Sequence, residues 1–437
     1  MWTESSVMKV AMSRDGVIGR RGFLRSIGWG AGAAGLAAGG ILPVSFTDLM
    51  ALRADELRKR QTACILLWMS GGPSQLETFD PKPGTDHGGE TKAIETAVPG
   101  ISIAEGWESL AKVMNDVALI RSMTNSEGNH QRASYQLHTG YVPSATIKHP
   151  HIGCSAAMEL ADERFDLPHI VSIGGPTTGA GYLGAAYEPF VIQNPQRPPD
   201  NALPKVAVDR FNRRLGLLGR LESAGFERAG GADRVRGHRE LYKQTAKMVL
   251  SPRMEAFDLE KESPSTRDRY GKTPFGQGCL LARRLVEAGV TFVEVRSNGW
   301  DTHVDNNKKV GNLAGQVGPG FAALVTDLKE RGMLDRTLIV WMGEFGRTPK
   351  INGTAGRDHF PRAFNVALAG GGVKGGQVIG QTSPDGSEVK DRPVTVPDLM
   401  ATLCRSMGVD ADHETMTAIG RPMKIVDGGK PVGELFA

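Results

Sequence analysis

The chain has 437 residues, with 52 Lys+Arg against 48 Asp+Glu, 40% hydrophobic and 23% charged. That is ordinary globular composition, which excludes a disordered chain or one that spans a membrane throughout. Four scattered cysteines without a C-x-x-C pair exclude a zinc ribbon, a thioredoxin-type redox pair and a disulfide-stapled mini-fold. The formal charge of +4 sits wholly in residues 1–61, where nine basic residues face five acidic ones; the rest carries 43 of each sign. Nucleic-acid binding, which needs a basic excess in the folded part, is disfavoured.

The N-terminus reads as a targeting segment. Arg20-Arg21-Gly22-Phe23-Leu24-Arg25 is a twin-arginine signature, followed by an uncharged Ala/Gly-rich run from Ser26 to Leu42 and then Pro43. Residues 1–54 are therefore expected to be a signal and linker read by the twin-arginine translocase, with a periplasmic or extracellular destination. An uncleaved membrane anchor is the alternative fate. That route carries folded proteins, which favours a chain that loads a metal before export.

From Thr62 onward, short apolar runs alternate with amphipathic stretches, the pattern of an α/β domain with a mostly parallel sheet flanked by helices over 62–437. The expected strands are Ala63–Met69, Val117–Arg121, His169–Ile173, Thr291–Arg296, Thr337–Met342 and Phe364–Ala369. The expected helices are Arg132–His138, Gly276–Ala288, Leu313–Arg331 and Val396–Met407. Residues 195–270, rich in Arg and Glu at helical spacing, read as a helical insertion or cap.

Polar clusters stand where strands end, the place where open α/β sheets build sites. They are Ser70-Gly71-Gly72-Pro73-Ser74, Asn125-Ser126-Glu127-Gly128-Asn129-His130, Gly299-Trp300-Asp301-Thr302-His303, Gly343-Glu344-Phe345-Gly346-Arg347, and Gly356-Arg357-Asp358-His359. Asp301 with His303, and Asp358 with His359, pair a carboxylate with an imidazole, a donor set suited to Zn²⁺, Mn²⁺ or Fe. Glu344 reads as a metal ligand or a general base, and Arg347 as a bidentate clamp for an anionic oxygen. Gly71-Gly72 either offers N–H groups to an anion or is simply a turn. His138, His149 and His151 read as surface or packing residues.

These motifs resemble the alkaline phosphatase/sulfatase superfamily. Within it they are most similar to a large bacterial family of twin-arginine-exported, sulfatase-like proteins labelled as a domain of unknown function. The resemblance rests on Gly71-Gly72-Pro73-Ser74 with Asp80-Pro81-Lys82-Pro83, the run Ala282 to Val290, Gly299-Trp300-Asp301-Thr302-His303, Gly343 to Pro349, and Asp358-His359. It implies a divalent metal ion (Zn, Mn or Ca), one in place of two, held by Asp301, His303 and His359 with Glu344 or Asp358 completing the shell. Thr139-Gly140-Tyr141-Val142-Pro143 resembles the motif that closes the nucleophile helix of sulfatases, which puts His130 at the nucleophile position; Ser126 is the substitute. Ser70 stands where the superfamily has a metal-binding Asp, and Phe345 where it has a His.

Two functions follow as expectations. One is an exported metal-dependent hydrolase of sulfate or phosphate esters, acting on an anionic ester or polysaccharide. There His130 serves as nucleophile, general acid/base or ligand, and Arg347 holds the anion. The other is a non-catalytic envelope binding protein that keeps the scaffold with a degenerate site.

Overall fold

In the computed structural model the chain divides into two units, Met1–Ala51 and Leu52–Ala437. The structure describes residues 62–436 except 161, 163–164, 201–203 and 223–231, together with two short strands of the first unit, Ala11–Ser13 and Gly16–Ile18, which pair antiparallel. The twin-arginine run and the Ala/Gly stretch behind it lie outside the described residues. Among those described, no helix is long and apolar enough to cross a membrane.

Eleven strands carry the second unit's sheet and site: β1 Ala63–Ser70, β2 Val117–Thr124, β3 Ile170–Ile173, β4 Phe190–Ile192, β5 Phe292–Asn298, β6 Thr337–Met342, β7 Gly346–Arg347, β8 His359–Phe360, β9 Phe364–Ala369, β10 Gln377–Ile379 and β11 Val394–Thr395. Seven helices matter here: α1 His130–Thr139, α2 Ile152–Leu160, α3 Val208–Leu221, α4 Ala232–Leu250, α5 Pro274–Glu287, α6 Asn306–Glu330 and α7 Val396–Met407. Nine strands form one sheet in the order β10-β2-β9-β6-β1-β5-β3-β4, with β11 also on β2. Only β9 runs against its neighbours. The others pair parallel.

Strand alternation builds a core on each face. In β1, Ile65, Leu67 and Met69 point into one cluster with α5 and α6; Cys64, Leu66 and Trp68 point into the other with α1, α2 and α7. β6 divides the same way, with Ile339 and Trp341 opposite Leu338, Val340 and Met342. A central strand buried on both faces must be apolar throughout, which is why both read as unbroken runs. The result is an α/β/α architecture with a mostly parallel central sheet flanked by helices.

Local chemistry fixes the helix ends near the site. Asn129 caps α1 by accepting from the Arg132 N–H, and Gly140, at φ 78°, closes it in the left-handed region, which accounts for Thr139-Gly140. α6 begins at Asn306, seven residues before the expected start at Leu313, because its first turns are polar and carry no apolar period. The strand expected to end at Arg121 runs on to Thr124. Among the described residues of 195–270 there is no strand; α3 and α4 lie there, and no residue of α3 is buried. The four cysteines are all buried and unpaired.

Candidate metal centre

The parallel strands deliver their C-terminal ends to one edge of the sheet, and the polar clusters meet there. β1 leads into Gly71-Gly72, both at positive φ (120° and 72°). A Cβ on Gly72 would lie 2.6 Å from the Phe345 ring, and one on Gly71 would strike the Trp300–Asp301 backbone. The pair is thus required for close approach of two site loops. The Gly71 N–H does meet an anion, but an internal one: the Glu344 carboxylate, at 3.0 and 3.2 Å.

Three imidazoles converge on one carboxylate oxygen. Nε2 of His303, His130 and His359 lie 3.1, 3.3 and 3.5 Å from Asp301 Oδ1. Nε2 of His303 and His359 are 3.0 Å apart. Each ring's other nitrogen is already committed. His130 Nδ1 donates to Glu344 at 2.7 Å, His303 Nδ1 to Asp358 at 2.9 Å, and His359 Nδ1 to the Gly128 carbonyl at 2.8 Å. These acceptors fix the tautomer, so every Nε2 turns a lone pair inward. His130 Nε2 is buried with no hydrogen-bond partner.

The electrostatics follow from these contacts. Its hydrogen bond to Glu344 raises the His130 pKa against the effect of burial. Burial lowers that of His359. Burial opposes ionisation of Asp301, but the hydrogen bond and charge of Arg347, with His130 and His303, outweigh it and hold the carboxyl at about 2. The His303 hydrogen bond lowers the pKa of the exposed Asp358.

Inward lone pairs around a carboxylate oxygen form a donor set that a cation would satisfy. Four ligands about 2.0–2.1 Å from a zinc ion stand about 3.3 Å apart in a tetrahedron, close to the 3.1, 3.3 and 3.5 Å from Asp301 Oδ1 to the three Nε2 atoms and the 3.0 Å between those of His303 and His359. The donor set of imidazoles and a carboxylate, each ring backed by an acceptor, fits a divalent ion. His130, Asp301 and His359 are mutually close enough to share one, and His303 borders them through Asp301 and His359.

Three roles differ from those expected of the sequence. Glu344 is not a ligand facing the centre; both its oxygens are taken by Gly71 and His130, so it orients a ring from behind. Asp358 does the same for His303. Arg347 is fully buried, donating from Nε to the Gly72 carbonyl, from Nη1 to the Arg357 carbonyl, and from Nη2 to the Gly71 carbonyl and Asp301. Its donors anchor Asp301 and the β1 turn and leave no fork for an outside anion. Ser126 is exposed on the loop before α1, its N–H bonded to the Asn125 side chain. Phe345 is buried, its ring 4.9 Å from that of His130 and 4.6 Å from that of His359, so it walls the cluster where a further imidazole was absent.

A second His/Glu group among the described residues, His138, His151 and Glu294, is wholly buried. His151 Nδ1 accepts from the Gly153 N–H, which places its proton on Nε2, facing Glu294 Oε2 at 3.3 Å. Thr177 and Arg296 also donate to that carboxylate. His151, Thr177 and Arg296 thus bond the anion, whereas His138, whose Nδ1 faces the Ser134 carbonyl at 2.6 Å, has its Nε2 buried 3.4 Å from Glu294 Oε2 with no hydrogen-bond partner. The part played by Glu294 carries no local sequence signal, since it lies inside an apolar strand.

Residues 61–436 match the family described as protein of unknown function (DUF1501). No curated protein matches the chain. Among solved structures, the PsFucS1 sulfatase from Pseudoalteromonas sp. is 14% identical, covering 83% of this chain and 71% of its own, with a TM-score of 0.37. The phosphonate monoester hydrolase of Agrobacterium radiobacter is 13% identical over 86% and 77%, with a TM-score of 0.36. The lipoteichoic acid synthase LtaP from Listeria monocytogenes is 10% identical over 86% and 80%, with a TM-score of 0.35.

Proposed function

The chain belongs to the DUF1501 family, and from its site we propose that it is a metal-dependent hydrolase of sulfate or phosphate esters. The observation that carries this reading is the convergence of three Nε2 lone pairs on Asp301 Oδ1, each ring held by its own acceptor. His130, Asp301, His303 and His359 would hold a divalent ion (Zn, Mn or Ca). Such an ion supplies Lewis acidity toward water and toward the oxygens of the ester.

The chain's own residues prepare the reaction. Glu344, Asp358 and the Gly128 carbonyl keep the three rings turned inward, and Arg347 fixes Asp301. Asp301 and His303 are 47% and 42% exposed at their side chains, so water and a tetrahedral ester reach the cluster without a lid moving. In hydrolysis a water oxygen bonds to sulfur or phosphorus and the bond to the ester oxygen breaks. The alcohol leaves with the proton that water gives up. Among the described residues no hydroxyl or thiol is hydrogen-bonded to any of the three rings, so attack by water is favoured over a covalent intermediate, and His130 serves as a ligand.

The twin-arginine run supports export to the periplasm or beyond. The second reading, a non-catalytic binding protein, draws on the same absence, among the described residues, of a hydroxyl or thiol hydrogen-bonded to the rings. Elemental analysis of the purified chain, with hydrolysis of 4-nitrophenyl sulfate and bis(4-nitrophenyl) phosphate after loading Zn²⁺ or Mn²⁺, decides between them. A bound ion that His359→Ala abolishes, together with turnover, supports the hydrolase. A chain that binds no ion and turns over neither ester overturns it.

A further inference from the structure

We infer that this site selects monoanionic tetrahedral esters, sulfate monoesters or phosphodiesters, over dianionic phosphate monoesters; this rests on the hydrolase reading above. The argument is a charge balance. Three carboxylates surround the rings: Asp301 at the centre, Glu344 behind His130 and Asp358 behind His303. The three imidazoles are neutral when Nδ1 carries the proton and Nε2 faces a cation. A divalent ion and the Arg347 guanidinium together offset the three carboxylates, so the loaded centre is close to neutral.

A centre that receives a dianion needs surplus positive charge beside the ion, and here that surplus is already spent. Arg347 is held by the Gly71, Gly72 and Arg357 carbonyls as well as Asp301, and cannot swing to a substrate. Arg132, on the first turn of α1, is paired with Glu127 at 2.6 Å. A second negative charge on the ester would therefore meet a centre whose positive charge is already balanced by its carboxylates, and a dianion gains less there than at a centre with surplus positive charge. Discrimination here comes from the missing cation as much as from the one present.

The test uses the full chain loaded with Mn²⁺ at pH 8. Rates are compared for 4-nitrophenyl sulfate, bis(4-nitrophenyl) phosphate and 4-nitrophenyl phosphate, which is dianionic there. Binding of methyl sulfate, dimethyl phosphate and methyl phosphate is read separately from the Mn²⁺ electron paramagnetic resonance signal. The expected result is a kcat/KM at least tenfold higher for one of the monoanions, with the same order in binding; the two monoanions between them identify sulfur or phosphorus. Asp358→Asn keeps an acceptor for His303 but removes one negative charge, and should shift the ratio toward the dianion at least threefold, while Asp358→Glu leaves it in place. A preference for 4-nitrophenyl phosphate, or a ratio that Asp358→Asn does not move, overturns this inference alone. A loaded chain that neither hydrolyses nor binds any of the six compounds overturns the hydrolase reading and this inference with it.

Discussion

Glu344 holds His130 from behind: one carboxylate oxygen sits 2.7 Å from Nδ1 while both oxygens accept the Gly71 N–H. The contact joins the end of β6 to the first residue of α1 and to the turn after β1. Changing Glu344 to Gln keeps the shape but replaces a carboxylate acceptor with an amide that no longer dictates which ring nitrogen carries the proton. Metal affinity, measured by titration against a competing chelator, should fall about 10–100-fold. Glu344→Ala should additionally lower stability by about 1–3 kcal/mol in urea, because the buried Gly71 N–H is left without an acceptor.

Removing the ion should loosen the whole domain. A ligand bound only by the folded chain stabilises it by about 2.7 kcal/mol at a hundredfold excess over Kd. The melting temperature of the loaded protein should therefore drop on adding a chelator and recover with excess Zn²⁺ or Mn²⁺. His359→Ala should melt at the same temperature with and without chelator, since its ion is already lost.

Arg357 and Glu77 form a buried pair beneath the site, 2.6 Å apart, both almost fully enclosed. Arg357 also donates to the carbonyls of His87, Thr348 and Pro349. Glu77→Ala would leave a guanidinium buried without its counter-ion, and breaking such a pair costs about 3–5 kcal/mol. Urea denaturation should show that loss.

The pH dependence of stability should carry a contribution from His149. Burial lowers its pKa, with Arg421 adding to the effect. Geometry agrees: the Tyr135 hydroxyl accepts the His149 backbone N–H and donates to Nδ1 at 2.9 Å, a contact that protonation of Nδ1 would break. The unfolded chain thus takes up the proton first as pH falls through about 6.5, and stability declines by at most about 1.4 kcal/mol per pH unit until the folded ring titrates. Above that range the contribution is fully present. His149→Gln, which retains an acceptor for Tyr135, should flatten the slope of stability between pH 7 and pH 5.

The strands and the site differ in how far they could be read from sequence. β6 and β9 have the expected bounds because a strand buried on both faces leaves an uninterrupted apolar run. The start of α6 was not legible, since Asn306 to Lys309 follow no apolar period and helical order there depends on packing. At the site, Asp301, His303 and His359 could be named because each belongs to a carboxylate–imidazole pair, Asp301 with His303 and Asp358 with His359, that follows an apolar strand. The division between residues that face the centre and residues that hold those residues could not. Glu344 and Asp358 have the same chemistry as a ligand, and only three-dimensional placement shows that an imidazole stands between each and the centre. Arg347 is a similar case: its chemistry suits an anion clamp, but the carbonyls of Gly71, Gly72 and Arg357, together with Asp301, occupy all three of its nitrogens.

The contact between His359 and the Gly128 carbonyl spans 231 residues of chain. Its partners reach one another only after β2, β9 and β6 have aligned in the sheet, because Gly128 lies on the loop that follows β2 and His359 on the segment that follows β6. A partly folded chain would hold isolated Asp-His pairs with weak, unselective affinity for ions. Tight capture of a single ion would therefore act as a certificate that the long-range topology is complete. A stopped-flow refolding experiment with a metal-sensitive dye would see the ion disappear from solution in the slowest phase, together with burial of Trp341 rather than ahead of it.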